Sequence, residues 1–166
     1  MIWVTNVNCF GSNTGSVSTS AVGGNGSFVY SLNPGAISNA TGIFNSLTAA
    51  SYTISVVDAN GCSNSVSVNI TQPTQLAPSA PIISNVSCFG GSNGSIEQLF
   101  SGGTGAISYT LNPGAVSNST GQFSNLTSGT YTILATDVLG CSSSVTLTIT
   151  QPTALGISNV TSTIPS

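Results

Sequence analysis

Leu47-Thr48-Ala49-Ala50-Ser51-Tyr52-Thr53-Ile54-Ser55-Val56-Val57-Asp58-Ala59-Asn60-Gly61-Cys62 decides the fold, and it returns 79 residues on as Leu126-Thr127-Ser128-Gly129-Thr130-Tyr131-Thr132-Ile133-Leu134-Ala135-Thr136-Asp137-Val138-Leu139-Gly140-Cys141. Tyr52, Ile54 and Val56 alternate with Thr53 and Ser55. That period of two is the mark of a strand with one face on a core. The Asp-x-x-Gly-Cys ending reads as a hairpin turn, in which Asp accepts backbone hydrogen bonds and Gly takes a positive φ.

Working outward, the same shift of 79 aligns the two halves without a gap, and 38 of the 71 positions from Asn6 to Leu76 are identical to their partners. Cys9 falls on Cys88, Cys62 on Cys141 and Gln72 on Gln151, and Leu32-Asn33-Pro34-Gly35-Ala36 recurs as Leu111-Asn112-Pro113-Gly114-Ala115. A repeat of this quality predicts two domains of one kind. They are placed at residues 1–74 and 75–153, joined through the Pro-containing segment 73–81. Residues 154–166 begin a third copy, because Ile157-Ser158-Asn159-Val160 repeats Ile83-Ser84-Asn85-Val86 with Ser162 in place of Cys88. Two readings of that extra strand stand side by side. It is the start of a longer array, or it is donated to the sheet edge of a neighbouring subunit.

Within the first copy, strands are expected at residues 2–7, 16–22, 28–32, 43–47, 51–58 and 63–71, separated by Gly-, Asn- and Pro-containing breakers. No stretch keeps helical spacing over ten residues. Six or seven short strands in about 79 residues predict an antiparallel β-sandwich. Leu47 closing one strand and Tyr52 opening the next, like Leu126 and Tyr131, match the tyrosine corner of immunoglobulin-like sandwiches. Read simply as core residues, the two tyrosines point to the same architecture. The expected fold is all-β, two tandem immunoglobulin-like sandwiches.

Composition removes whole classes of function. The 166 residues include no Lys, Arg or His, and charged residues are 2% of the chain, against roughly 25% in an ordinary domain. Nucleic-acid binding and basic membrane-surface patches need cations that are absent here. The usual general bases are missing, and no Ser has a His or Lys to activate it, so no catalytic residues and no enzyme are expected. No apolar run approaches the 18 or so residues of a membrane helix, so membrane insertion is not expected. Disorder is opposed by 39% apolar residues and a net charge of only -3. A surface this neutral promotes association, unless glycan hydrates it. Asn-x-Ser/Thr sequons stand at Asn25, Asn39, Asn69, Asn85, Asn93, Asn118, Asn125 and Asn159. Their number is only a mild excess over chance, so polar strand faces are the plainer reading.

The three acids are Asp58, Glu97 and Asp137. Calcium at Asp58 or Asp137 would want six to eight oxygens, often several carboxylates, and each loop brings one. The turn reading is therefore preferred, Glu97 is read as exposed, and no metal or cofactor is expected. Gly23-Gly24-Asn25-Gly26 and Gly102-Gly103-Thr104-Gly105 are strand connections rather than phosphate loops. Trp3, opposite Ile82 in the second copy, is expected in the core or at the junction.

Cys9, Cys62, Cys88 and Cys141 read as disulfide cysteines, since there is no CxxC and no His to suggest zinc. Two pairings stay open. Pairing within a repeat joins Cys9 to Cys62 and Cys88 to Cys141. If the first and last strands run parallel, those partners sit at opposite ends of a strand about 20 Å long, far beyond the roughly 7 Å limit of a bridge. Pairing across repeats joins Cys9 to Cys141 and leaves Cys62 and Cys88 for neighbouring subunits.

Cys9-Phe10-Gly11, Gly23-Gly24, Leu47 to Tyr52, Asp58-Ala59-Asn60-Gly61-Cys62 and Ile70-Thr71-Gln72-Pro73, with their partners in the second copy, resemble the SprB-type repeat of large bacterial surface adhesins. The resemblance implies secretion, immunoglobulin-like modules, and adhesion or surface architecture without catalytic residues. The chain departs from the pattern in having two full copies only and no basic residue. The function expected is an extracellular structural or adhesive repeat protein, self-associating as a surface-filament subunit. A segment of a large adhesin or a carbohydrate-binding module is the alternative. The expected partners are further copies of itself and, secondarily, a surface glycan.

Overall fold

A computed structural model describes residues 1–158. It is all-β, and its strands form antiparallel pairs. Two compact units divide the chain. The first is Met1–Leu76 with Gly102–Gly105 and Asp137–Cys141, and the second is Ala77–Ser101, Ala106–Thr136 and the chain from Ser142.

The first unit contains β1 (Ile2–Thr5), β2 (Gly15–Thr19), β3 (Val29–Asn33), β4 (Ile37–Asn39), β5 (Ile43–Leu47), β6 (Ala50–Val57) and β7 (Ser63–Ile70). One sheet has the order β1-β2-β5, the other β4-β3-β6-β7. Three strands facing four, with β3 paired to β6 across the intervening chain, is an immunoglobulin-like sandwich. Alternation supplies the core. Tyr30 and Leu32 on β3, Tyr52 and Ile54 on β6, and Val17 and Phe44 on β2 and β5 meet between the sheets and are all buried. Val7, Leu47 and Ile70 close it.

Between β2 and β5 the register slips, Gly15 facing Leu47 and Val17 facing Phe44. The extra residue lies on β5, where Ser46 takes φ 57°. This is a β-bulge. The second repeat repeats it at Asn125, also φ 57°, and Asn tolerates that conformation better than most residues.

The second unit holds β8 (Ala77–Pro78), β9 (Ile82–Ser84), β10 (Gly94–Glu97), β11 (Phe100–Ser101), β12 (Ile107–Asn112), β13 (Val116–Asn118), β14 (Gln122–Leu126), β15 (Gly129–Asp137, its last residue counted with the first unit) and β16 (Ser142–Ile149). Its sheets run β14-β10-β9 and β13-β12-β15-β16, with β8 paired to β11. Ile96, Tyr109, Leu111, Phe123, Tyr131, Ile133 and Ile149 are buried at the positions their first-repeat partners hold. Val17 alone changes type, to Ile96.

The six strands expected in the first copy become seven. β4 was missed because three residues on a sheet edge, none of them buried, carry no alternation to read. Trp3 is 67% exposed rather than buried. No residue of β1 is buried, and its neighbour β2 sends only Gly15 and Val17 inward, so the Trp3 side chain has no core to enter. The corner is present in both copies. Tyr52 Oη donates to the Thr48 carbonyl at 3.1 Å, and Tyr131 Oη to that of Thr127 at 3.0 Å. Tyr131→Phe should therefore cost about 1 kcal/mol, the usual net value of one hydrogen bond. Urea denaturation should show an earlier midpoint with an unchanged slope.

Candidate functional site

Each Asp-x-x-Gly-Cys loop is wound around its carboxylate. Asp58 Oδ1 accepts from the backbone N–H of Asn60 at 3.0 Å and Cys62 at 2.8 Å, and Oδ2 from that of Asn25 at 3.0 Å. Asp137 does the same with Leu139 at 3.0 Å, Cys141 at 2.9 Å and Thr104 at 2.7 Å. The N–H of Asn25 and then that of Cys62 hold the Asp58 carboxyl below its ordinary value, against a smaller opposing effect of burial. At Asp137 burial is the largest single influence and pushes the pKa up. The N–H groups of Thr104, Cys141, Leu139 and Gly140 together outweigh it, so the net shift is again downward. Both acids are fixed as backbone caps, and among the described residues no three His, Cys, Asp or Glu side chains gather to hold a metal.

A carboxyl whose folded pKa is depressed stabilises the fold above its unfolded pKa and loses that contribution as pH falls through the folded value. Here the window lies at and below 3.8. Thermal stability should be flat above about pH 5, where an unfolded Asp is already ionised, and should fall progressively below pH 4. In Asp58→Asn/Asp137→Asn the neutral pH stability should be lower and the acid slope shallower. Melting curves by circular dichroism from pH 2 to 7 check both points.

The cysteines are not paired as a set. Cys9 is bonded to Cys141, with Cα atoms 5.5 Å apart, while Cys62 and Cys88 are free and exposed. Cys9 and Cys141 both belong to the first unit. Pairing within a repeat, Cys9 to Cys62 and Cys88 to Cys141, does not form; the pairing is across repeats, Cys9 to Cys141, and leaves Cys62 and Cys88 unbonded within the chain. The reason is directional. Val7 N donates to the Thr71 carbonyl at 2.9 Å, and Gly11 N to Gln72 Oε1 at 2.7 Å. Cys9 thus lies at the end where β7 finishes, and Cys62 at the end where β7 starts, about 26 Å away at the usual rise per residue. Val86 N to the Thr150 carbonyl and Gly90 N to Gln151 Oε1 set Cys88 and Cys141 apart in the same way.

Other expected positions fall as follows. Glu97 accepts from Gln122 Nε2 at 3.2 Å. Among the sequons, Asn39, Asn93 and Asn118 use their amide nitrogens to bond Ile43 O, Ser87 Oγ and Gln122 O, so the atom a glycan would need is already engaged. Asn69 and Asn85 accept through their side-chain oxygens from Ser51 and Thr150. Asn25 and Asn125 are exposed. Of the terminal strand, Ile157 and Ser158 are exposed, and Asn159 and Val160 lie outside the described residues. Exposed aromatics are Trp3, Phe10 at 51% and Phe89 at 60%, the last two each following a cysteine.

Sequence reasoning missed two features. One is a groove of about 380 Å³ in the first unit, with Ile2, Val22, Phe28, Val56, Asp58 and Cys62 on its walls. The other is Gln98, fully buried, whose Nε2 bonds the carbonyls of Ser79 at 3.0 Å and Leu99 at 2.7 Å. Gln98 stands where the first copy has Thr19, and that mismatch was the available signal.

No curated protein matches the chain. Among solved structures it is similar to an amphioxus IgVJ-C2 molecule at 13% identity and TM-score 0.36, over 82% of this chain and 95% of that one. It is also similar to domains 4-9 of the surface layer protein SbsC, at 9% identity and TM-score 0.31, over 96% of this chain and 31% of that one. The family comparison bears on the repeat itself: residues 3–37 and 80–116 match the SprB repeat, once at the head of each copy.

Proposed function

We propose that this chain is a cell-surface structural repeat protein whose copies associate with one another into a filament. The observation that carries the reading is a surface that exposes large apolar side chains, Trp3, Phe10, Val22, Phe89 and Val138 among them, on a chain with three acids and no base. Burying such side chains between copies would remove apolar area from water, and a surface with so little charge does little to keep copies apart. The SprB match supports placement at the cell surface. Both aspartates serve as backbone caps, which favours architecture over chemistry.

Electron microscopy of the native surface material and light scattering of the purified chain test this. Filaments with an axial repeat of one or two sandwich domains are expected. A chain that stays monomeric at millimolar concentration would remove the filament and return it to the segment of an adhesin. Exposed Trp3, Phe10 and Phe89 also suit stacking on sugar rings. Glycan binding lost in Trp3→Ala would favour that second reading.

A further inference from the structure

Within the first unit, residues 74–76 are held against Gly102–Gly105. Gly103 N donates to the Thr74 carbonyl at 2.9 Å. The Gln75 carbonyl occupies the place where a Cβ on Gly102 would stand, and Leu76 Cδ1 lies 3.4 Å from that of Gly103. Leu76 is 5% exposed. Gln72-Pro73-Thr74-Gln75-Leu76 returns at the end of the second copy as Gln151-Pro152-Thr153-Ala154-Leu155. There Leu155 is fully exposed, at 103%.

The glycines against residues 74–76 also return, and so do Asp137, which flanks Gly103, and Cys141, which closes the same loop. Gly102, Gly103, Asp137 and Cys141 correspond to Gly23, Gly24, Asp58 and Cys62, and these four line the groove of the first unit. Gly23 keeps the backbone of Gly102, φ 79° against 89°, yet its Cβ position meets nothing within 4 Å. One cradle is filled and its counterpart is open. One docking leucine is buried and its counterpart is exposed.

The cysteines divide in the same way. Cys9 and Cys88 sit in matching turns, Ser12 N donating to Cys9 O at 3.1 Å and Gly91 N to Cys88 O at 3.0 Å. Cys62 and Cys141 sit in matching Asp-capped loops, with Asp58 N to Cys62 O and Asp137 N to Cys141 O both at 3.0 Å. The bonded pair joins one cysteine of each kind, and the free pair is one of each kind.

We propose that the groove of the first unit receives residues 153–156 of a second copy of this chain, Leu155 entering as Leu76 enters its own cradle, and that Cys88 of the donor copy then bonds Cys62 of the acceptor. This rests on the self-association proposed above and gives it a contact and a direction. Docking brings the two thiols together, and a disulfide oxidant such as oxidised glutathione closes them. Two thiols and one RSSR become one protein disulfide and two RSH, the thiol protons passing to the two released thiols. The contact leaves the pair one open groove, on the donor, and one exposed leucine, on the acceptor, so it is heterologous and propagates head to tail.

The test uses two full-length variants. The donor is Cys62→Ser and the acceptor is Cys88→Ser/Leu155→Asp. Mixed in oxidised glutathione, they should give the Cys88–Cys62 heterodimer at least tenfold over either homodimer on non-reducing gels, confirmed by peptide mapping. Random oxidation, with heterodimer near twice each homodimer, overturns the bond. A peptide of residues 151–158 should bind the acceptor and perturb Phe28 and Val56 in nuclear magnetic resonance spectra, and its Leu155→Asp form should not. Absence of peptide binding overturns the docking. If wild-type filaments form and survive Leu155→Asp, this contact is wrong while self-association stands, and the groove belongs to another occupant, such as chain preceding Met1. If no assembly of any kind forms, both proposals fall.

Discussion

Truncating Ile133 to alanine should lower stability by about 2–5 kcal/mol, as cavities in close-packed cores do. Ile133 is fully buried on β15, opposite Val145 on β16. Its chain neighbour Leu134 is 36% exposed, and Leu134→Ala should stay within about 0.5 kcal/mol. The pair tests register as well as burial. A slip of one residue along β15 would turn every side chain to the other face, and the two costs would change places. In a unit of this size the Ile133 change amounts to a melting point lower by about 10 °C or more. Equal losses at both positions would mean that β15 is not one wall of a two-layer core.

Loss of the Cys9–Cys141 bond should rank with the core truncation. Its partners are 132 residues apart in sequence, and a bridge closing a long loop typically stabilises by about 2–4 kcal/mol. The comparison is best made on a Cys62→Ser/Cys88→Ser background, where this bond is the one remaining. Cys9→Ser, Cys141→Ser and the double variant should then coincide within error, since each removes the same link. Reductant should bring the parent to their melting point and leave all three unchanged. Additive losses in the double variant would show that the thiols act through packing rather than through the bond.

How much of this was legible follows from what kind of signal each feature leaves. The alternation of Tyr52-Thr53-Ile54 and the fixed shift of 79 are local and repeated, so the sandwich could be read from them directly. β4 and Trp3 could not. Both belong to sheet-edge strands with no buried residue, where the side-chain pattern is free to drift. The aspartate caps were visible because an Asx turn is a five-residue affair. Disulfide connectivity is a matter of which strand ends meet, and the repeat alone left two answers. The groove was hidden most completely, because it is formed by residues as far apart as Met1 and Val66. Its one trace in the sequence is the repeated Gln-Pro-Thr-x-Leu, whose two leucines differ only in the company they keep.

The Cys9–Cys141 bond has a mechanical consequence. A tensile load on the two chain ends passes through that sulfur bridge and bypasses the 132-residue interval between its partners. Only the tails outside it can be drawn out while the bond holds. Its rupture would release a hidden length of roughly 450 Å, at about 3.4 Å per extended residue. A single-molecule pull would read this as a short extension confined to the tails in oxidising buffer and a long, sawtoothed extension once a reductant is added.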